Sequence, residues 1–261
     1  MKTLGIAATG MGAQQLNVDV ISNNIANMNT TGYKRSRAEF QDLLYQSYRR
    51  QGSLTSENGT VVPAGVDVGL GVQPAAVVRL NTQGSLTQTE NQLDMAIDGR
   101  GYFVVNLPNG DQAFSRAGSL QLSAEGTIVT VDGYEVAPGV TIPEDTTSIQ
   151  ISDQGIINVF VGNDTEPTEL GQFEIATFIN EAGLRPIGDS LFQVSTASGE
   201  AQLTVAGEEG VGIIRQGYVE ASNVNVVQEI TALISAQRAY EMNSKVVETA
   251  DQMMSTANNM R

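Results

Sequence analysis

The chain has 261 residues and a formal net charge of −15, from 14 basic and 29 acidic side chains. This charge argues against a nucleic acid or an anionic membrane surface as the main partner, and no apolar run is long enough to cross a membrane. Because the chain has neither cysteine nor histidine, disulfides and thiolate chemistry are excluded, and the commonest general base and metal ligand are missing. We therefore expect neither a cofactor nor a bound metal.

The first 27 residues have the pattern of an amphipathic helix. Its stripe runs in alternating steps of four and three through Leu4, Ala8, Met11, Gln15, Val18, Ser22 and Ile25. Three glycines in this segment each cost up to about 1 kcal/mol relative to alanine in a helix interior, so the helix should not be stable alone. The segment has one lysine but no sustained apolar core, unlike a cleaved secretion signal. We therefore expect any export to keep the N-terminus.

The end of this helix is crowded with asparagine, at Asn23, Asn24, Asn27 and Asn29. These side chains either form a helix cap and loop, or make amide hydrogen bonds that fix the chain path or a neighbouring subunit. Thr30-Thr31-Gly32 then stops the helix. The basic residues that follow sit beside acids, and we interpret them as solvent-facing: Lys34, Arg35 and Arg37.

Residues 33–48 fit either a short helix or an extended segment, because their periodicity does not decide between the two. Residues 49–75 are rich in glycine, and Asn58-Gly59 is a strong hairpin-turn signal. Few large apolar residues are available there to form a core. We therefore predict an extended arm or long hairpin that needs a neighbour to hold it, with assembly residues Asn58, Gly59, Pro63 and Gly65.

From about residue 76 to residue 219 the pattern is that of β-strands. Alternating apolar residues, as in Leu93, Met95 and Ile97, are separated by turn sequences such as Asp132-Gly133. Short strands punctuated in this way are typical of an antiparallel sandwich or a barrel-like body. We predict such a body for the middle of the chain.

Two features of this middle segment resemble catalytic or metal-binding sites. Residues 188–191 read GDSL, the nucleophile tetrapeptide of the GDSL esterases, but those enzymes pair the serine with a histidine, which this chain lacks. Asp94 with Asp98 is a possible carboxylate pair without calcium-loop spacing. We interpret the GDSL string as a turn that enters a strand, and we predict no catalytic or metal-binding residue.

Residues 225–261 contain neither proline nor glycine and predict an amphipathic helix roughly 55 Å long. Asn225 and Gln228 form a plausible capping box, and Glu229 places an acid near the helix start. Helices of this length usually belong to a coiled coil or an assembly. The stripe of this helix needs a partner, and the first helix is the candidate; the alternative is that both are ordinary surface helices of one compact domain.

The predicted fold is α+β. The N- and C-terminal helices pack as a coiled-coil-like helical layer, with a mainly antiparallel β middle domain and an extended Gly-rich arm. The corresponding domains are a terminal helical core of residues 1–30 and 223–261, a connecting segment and arm of residues 31–75, and a β-rich outer domain of residues 76–222.

Both ends of the chain resemble the axial proteins of the bacterial flagellum, the rod and hook family. SNNIANMNTTGYK at 22–34 is similar to the N-terminal signature of that family, and residues 222–254 are similar to its C-terminal motif. The segments 36–46, 49–75, 94–105 and 215–226 resemble the members that form the distal rod. The resemblance therefore covers essentially the whole chain.

This resemblance implies a structural subunit and not an enzyme. Such subunits stack helically with copies of themselves into a rigid drive shaft that crosses the periplasm and transmits torque from the motor to the hook. The implied partners are the subunit itself, the proximal rod proteins, the hook protein or hook junction, the bushing of the P and L rings, and the flagellar type III export apparatus. Nucleic acid is not among them, and the chain is not expected to span a membrane.

Helical-core residues are expected at both ends of the chain. They are Leu4, Met11, Val18, Ile21, Asn23, Asn24, Ile25 and Asn27 in the first helix, and Val226, Ile230, Leu233, Tyr240, Val247 and Met254 in the last. Within the same family, the alternative is a proximal-rod or hook-type protein. From other classes, the alternatives are a secreted β-domain hydrolase and a non-catalytic adhesin or binding module whose terminal helices form a closed stalk.

Overall fold

The computed structural model describes residues 2–52, 64–162 and 166–259. They divide into two compact units. The first unit comprises Met1–Ile25, Ser36–Val78 and Asn225–Arg261, and the second comprises Ala26–Arg35 and Arg79–Val224.

Among its described residues, the first unit contains both long helices and four strands. These elements are α1 (Lys2–Ala26), β1 (Ser36–Asp42), β2 (Tyr45–Arg49), β3 (Val66–Gly69), β4 (Val72–Arg79) and α2 (Val226–Asn259). Strand β1 pairs with β4, and β2 pairs with β3 in antiparallel register. Residues 36–49 are therefore mostly extended, which decides between the two alternatives for that segment.

The start of α2 carries the cap that its sequence indicates. The Asn225 side-chain oxygen accepts a 3.2 Å hydrogen bond from the backbone N–H of Gln228. This bond satisfies one of the amide groups that a helix start leaves without a partner.

The predicted arm falls partly outside the described residues. Asn58, Gly59 and Pro63 lie there, so the turn at Asn58-Gly59 stays a prediction. Gly65 is described, and a Cβ atom added to it would lie 2.7 Å from the carbonyl oxygen of Arg49. Because glycine has no Cβ atom, the chain at Gly65 can approach Arg49 of β2 this closely.

In the described part of the chain, the second unit has sixteen strands and one short 3-10 helix, Glu181–Gly183. In chain order they are β5 (Leu86–Gln88), β6 (Met95–Asp98), β7 (Tyr102–Asn106), β8 (Gln112–Ser115), β9 (Leu120–Leu122), β10 (Ile128–Thr130), β11 (Glu135–Val136), β12 (Thr146–Ile151), β13 (Ile156–Val161), β14 (Thr168–Gln172), β15 (Glu174–Thr177), β16 (Arg185–Gly188), β17 (Leu191–Gln193), β18 (Gln202–Val205), β19 (Ile213–Gln216) and β20 (Tyr218–Glu220).

The largest sheet of this unit has nine strands, with the order β16-β17-β8-β7-β11-β10-β9 and with β15 joining β7 to β18. A three-stranded sheet, β12-β13-β14, and the pairs β6–β19 and β5–β20 complete the strand pairings. The described pairings of this unit are antiparallel. The prediction of an α+β chain with terminal helices and mainly antiparallel sheets is confirmed.

Strand β7 explains why its sequence, YFVVN, is apolar without alternation. Phe103 and Val105 belong to one buried apolar cluster, while Tyr102 and Val104 belong to a second. Successive side chains of a strand point to opposite faces, so β7 is buried on both faces. Within the described residues, neither helix is long and apolar enough to cross a membrane.

Candidate assembly surfaces

The two helices of the first unit contact each other through polar and small residues. Asn24 of α1 donates a 3.1 Å hydrogen bond to Glu229 of α2, and a Cβ atom added to Gly10 would lie 2.9 Å from the Asn243 side-chain nitrogen. Asn24 and Gly10 are 14 residues apart, as are Glu229 and Asn243, but in the opposite order along the chain. The two helices therefore run antiparallel where they meet.

The buried line of each helix is displaced from the stripe that the sequence predicts. On α1, the expected Ala8, Gln15 and Ser22 are exposed, whereas Ala7 and Ile21, each one position earlier, are buried. On α2, the deeply buried residues are Glu229, Ala236 and Ala250. Alanine and glutamate carry little hydrophobic signal, which is why a search for large apolar residues missed this line.

The predicted helical-core residues divide into three groups. Ile21 and Asn24 are buried. Eight are half-buried: Leu4, Met11, Val18, Ile25, Asn27, Val226, Leu233 and Val247. Four are exposed: Asn23, Ile230, Tyr240 and Met254.

Asn24 has the most connected side chain of the asparagine cluster in the described contacts. Its amide nitrogen donates to the backbone oxygen of Ser36 at 2.8 Å as well as to Glu229, and its oxygen accepts from the N–H of Ser36 at 2.9 Å. One amide thus joins α1, β1 and α2. Of the two interpretations of the asparagine cluster, the one in which amide hydrogen bonds fix the chain path applies to Asn24.

Gly32 makes a turn within the second unit that other residues would disturb. Its φ is 69°, and an added Cβ atom would lie 2.7 Å from the backbone of Arg116 and Ala117. Its N–H donates a 2.8 Å hydrogen bond to the carbonyl oxygen of Glu220. Both the left-handed backbone and the close approach call for glycine.

Lys34 lies in a buried ionic cluster, so its interpretation as solvent-facing was wrong. Its Nζ is 2.5 Å from one oxygen of Glu220, and Nε of Arg116 is 2.5 Å from the other. The Lys34, Arg116 and Glu220 side chains are nearly inaccessible to solvent. Further hydrogen bonds satisfy the cluster, from Lys34 to Thr82, from Gly84 to Glu220, and from Arg116 to the carbonyl oxygens of Ile97, Gly99 and Gly101.

Burial and charge oppose each other in this cluster. Burial raises the pKa of Glu220, but the charges and hydrogen bonds of Arg116 and Lys34 outweigh it, so the pKa lies below the ordinary carboxyl value. Burial lowers the pKa of Lys34, and the bond to Glu220 offsets part of that effect. We expect an ionised Glu220 carboxylate at neutral pH, which bridges Lys34 and Arg116.

The first unit exposes many large apolar side chains. On α2, Val227 is 75% exposed, and Ile230, Ile234 and Val246 are also exposed. The exposed apolar residues of the β1–β4 region are Leu44, Tyr45, Tyr48, Val66, Val68, Leu70 and Val77. This many exposed large apolar side chains on one compact unit is typical of an interaction surface.

The GDSL string forms the predicted turn. Gly188, Asp189 and Ser190 have positive φ values of 99°, 51° and 58°, and the chain then enters β17 at Leu191. The carbonyl oxygen of Ser190 accepts a hydrogen bond from the Ser115 hydroxyl. Asp98, from the tested carboxylate pair, is bound by Arg215 at 2.8 Å. Among the described residues there is no group of three or more acidic side chains arranged to hold a metal.

Three family models match the chain. Residues 4–34 match the flagella basal body rod protein model, residues 96–159 match the D1 domain of the flagellar hook protein FlgE/F/G model, and residues 215–260 match the C-terminal model of the flagellar basal body rod FlgEFG protein. The first match contains Asn24, Gly32 and Lys34, and the last contains Glu220 and Glu229.

Several characterised relatives match over nearly their whole length. The chain is 54% identical over 261 residues to the flagellar basal-body rod protein FlgG of Caulobacter vibrioides, covering 100% of both chains. It is 53% identical to FlgG of Agrobacterium fabrum, covering 98% of this chain and 97% of the relative. It is 46% identical to FlgG of Borreliella burgdorferi, covering 100% and 99%. This identity and coverage show that the chain belongs to the FlgG family of flagellar distal rod proteins, a family of structural subunits and not of enzymes.

Proposed function

We propose that the chain polymerises helically with copies of itself into the distal rod, a rigid shaft that crosses the periplasm and transmits torque to the hook. The observation that carries this proposal is the exposed apolar surface of the first unit, on α2 and on strands β2 and β3. Helix α2 buries mainly alanine and glutamate within its own subunit, so its exposed large apolar side chains are available for contacts with other subunits.

The spacing of the buried and half-buried residues supports coiled-coil-like packing of the terminal helices. Glu229, Ala236, Asn243 and Ala250 follow one another in steps of seven, as do the positions of Gly10 and Asn24 over two steps. A sustained seven-residue repeat keeps one face of a helix against its partner. We propose that residues 1–30 and 223–261 form the inner core of the shaft and residues 76–222 its outer β domain.

The arm between them adds contacts to neighbouring subunits. Directly before the arm, Leu44 is 82% exposed, and Tyr45 and Tyr48 of β2 are exposed as well. In an open helical array each interface joins two different patches, so a patch on one subunit needs a different patch on the next. The arm and α2 supply two such patches, and several contacts per subunit give the shaft its stiffness.

The remaining partners follow from the position of the rod. They are the proximal rod proteins below the distal rod, the hook or its junction above it, the bushing of the P and L rings around it, and the type III apparatus that exports the subunit with its N-terminus uncleaved. These assignments depend on family membership. The net charge of −15 means that the chain meets these partners as an acidic protein.

The test is an Ile234→Glu variant, which places a charge in the exposed apolar line of α2 with a residue that favours helix. We expect the purified variant to fold but not to form filaments by electron microscopy. It should also fail to restore swimming to a flagellated strain whose own gene is deleted. The matched control is Ile179→Glu, the same change at an 83% exposed position of the second unit.

Two results would overturn the proposal. One is an Ile234→Glu variant that polymerises and supports swimming as well as the control. The other is a wild-type chain that forms a discrete closed oligomer at every concentration, as an adhesin stalk would.

A further inference from the structure

The chain has an unusual inventory of oxidisable side chains. It contains no cysteine, tryptophan or histidine, and it contains eight methionines. Methionine is therefore its only sulfur-containing residue and the readiest target for two-electron oxidants such as hydroperoxides. How such an oxidant affects the protein depends on where the methionines lie.

The described methionines differ sharply in exposure. Met95 is fully buried in the core of the second unit, whereas Met242 and Met253 of α2 are 62% and 61% exposed. Val246, which is also exposed, lies between them, four residues after Met242 and seven before Met253. Steps of four and seven keep side chains on one helix face. Met242, Val246 and Met253 thus form one exposed apolar patch, here named the methionine patch.

We propose that Met242 and Met253 are a sulfoxide modification site through which hydroperoxides block assembly of the free subunit. The inference rests on the proposed self-assembly, because the methionine patch belongs to the exposed apolar surface of α2. Oxidation converts a flexible apolar side chain into a polar one. A sulfoxide buried in a subunit contact without a hydrogen-bond donor opposes that contact.

The chemistry needs only the peroxide. The thioether sulfur attacks one peroxide oxygen, an S–O bond forms as the O–O bond breaks, and the second oxygen leaves as water after taking up a proton. The sulfur loses two electrons and hydrogen peroxide gains them. In the free subunit both sulfurs are accessible to the oxidant, and in the polymer the neighbouring subunit covers them. Oxidation therefore acts before assembly, and assembly protects the site.

The experiment uses the full chain, treated with hydrogen peroxide either before or after polymerisation. Peptide mass mapping should show sulfoxide at Met242 and Met253 of the free subunit, with Met95 unmodified as an internal marker of the intact fold. We expect prior oxidation to raise the critical concentration for polymerisation, measured by sedimentation, about tenfold or more. A methionine sulfoxide reductase should restore it.

Two variants separate this site from general damage. The double variant Met242→Leu with Met253→Leu keeps an apolar patch and should polymerise normally even after peroxide. Met28→Leu, at an exposed methionine of the second unit, should remain as sensitive as the wild type. Equal sensitivity of the double variant overturns the inference.

The two proposals fail in different ways. If untreated wild-type chain does not polymerise, the proposed function is overturned and the inference falls with it. If untreated and oxidised wild-type chains polymerise at the same concentration, only the inference is overturned.

Discussion

Asn24 and Glu229 are joined by a buried hydrogen bond of 3.1 Å although 205 positions separate them along the chain. The same Asn24 amide exchanges two hydrogen bonds with the backbone of Ser36. One side chain therefore fixes the position of α2 and the start of β1 relative to α1. This amide therefore contributes to the specificity of the contact between the helices.

Replacing Asn24 by alanine should destabilise the first unit. The change removes three hydrogen bonds and leaves buried polar groups of Glu229 and Ser36 without this partner, at a cost of about 1–3 kcal/mol. The measurement is thermal unfolding followed by the helix signal in circular dichroism, where we expect the melting temperature to fall by several degrees. Ser22→Ala, at an exposed position on the same helix, is the control. Equal melting of the two variants would show that the Asn24 network contributes nothing.

Replacing Glu220 by glutamine should destabilise the second unit more strongly. The two cations, Lys34 and Arg116, then lose their buried carboxylate, and breaking a buried pair costs about 3–5 kcal/mol. The double variant Lys34→Met with Glu220→Gln should recover part of this lost stability, because it removes one of the two unpaired cations. Thermal unfolding of the single and double variants measures both effects, and a single variant as stable as wild type would contradict the importance of the cluster.

The same cluster predicts how stability depends on acid. The pKa of Glu220 is lower in the folded chain than its ordinary value. Its stabilising effect is therefore complete above about pH 4.3, the unfolded value, and is lost as the pH falls through the folded pKa. Melting temperatures between neutral pH and pH 3 should fall more steeply for wild type than for Glu220→Gln. Parallel curves would mean that protonation of Glu220 is not linked to unfolding.

The glycines of α1 should differ in their response to alanine. A Cβ atom at Gly5 or Gly12 would meet nothing within 4 Å, whereas one at Gly10 would lie 2.9 Å from Asn243. We expect Gly12→Ala to stabilise the helix by up to about 1 kcal/mol and Gly10→Ala to stabilise it less, because Asn243 must move. Helix unfolding of the two variants measures the difference. An equal gain would contradict close packing of the helices at Gly10.

Limited trypsin digestion should attack the first unit before the second. The helices of the first unit bury few large side chains, while the second unit contains two apolar clusters, and sparsely packed segments open most easily. We expect early cleavage after Arg49, Arg50, Arg238 and Lys245 in the free subunit, with intact mass as the readout. Exposed Arg100 and Arg185 of the second unit are internal controls. Early cuts there, with α1 and α2 intact, would favour a closed helical stalk.

Several elements could be predicted because their signals are local. The cap at Asn225, the turn at Asp132-Gly133 and the run of β7 depend on neighbouring residues, and both helices begin and end close to where the sequence indicates. The serine of the GDSL string could be set aside as a nucleophile from the sequence alone, since a serine without any histidine in the chain has no ordinary base. Local signals of this kind place elements, but they do not place side chains against distant partners.

The rest depended on contacts far apart in the chain. Lys34 was expected in solvent because charged side chains are rarely buried, and only its meeting with Glu220, 186 positions away, changes that balance. The buried line of α2 was missed because Ala236 and Ala250 look unremarkable beside Ile230 and Tyr240. A search for small residues in steps of seven would have found it. Ile230, Ile234 and Tyr240 are instead exposed.

The 186 positions that separate Lys34 from Glu220 along the chain limit when their ion pair can form. A chain that emerges N-terminus first, from a ribosome or from a narrow pore, presents Lys34 long before the carboxylate that neutralises it. Contacts of such separation close late, because the intervening loop must be ordered before they form. The ion pair between Lys34 and Glu220 can therefore form only after the strand that contains Glu220 has been released.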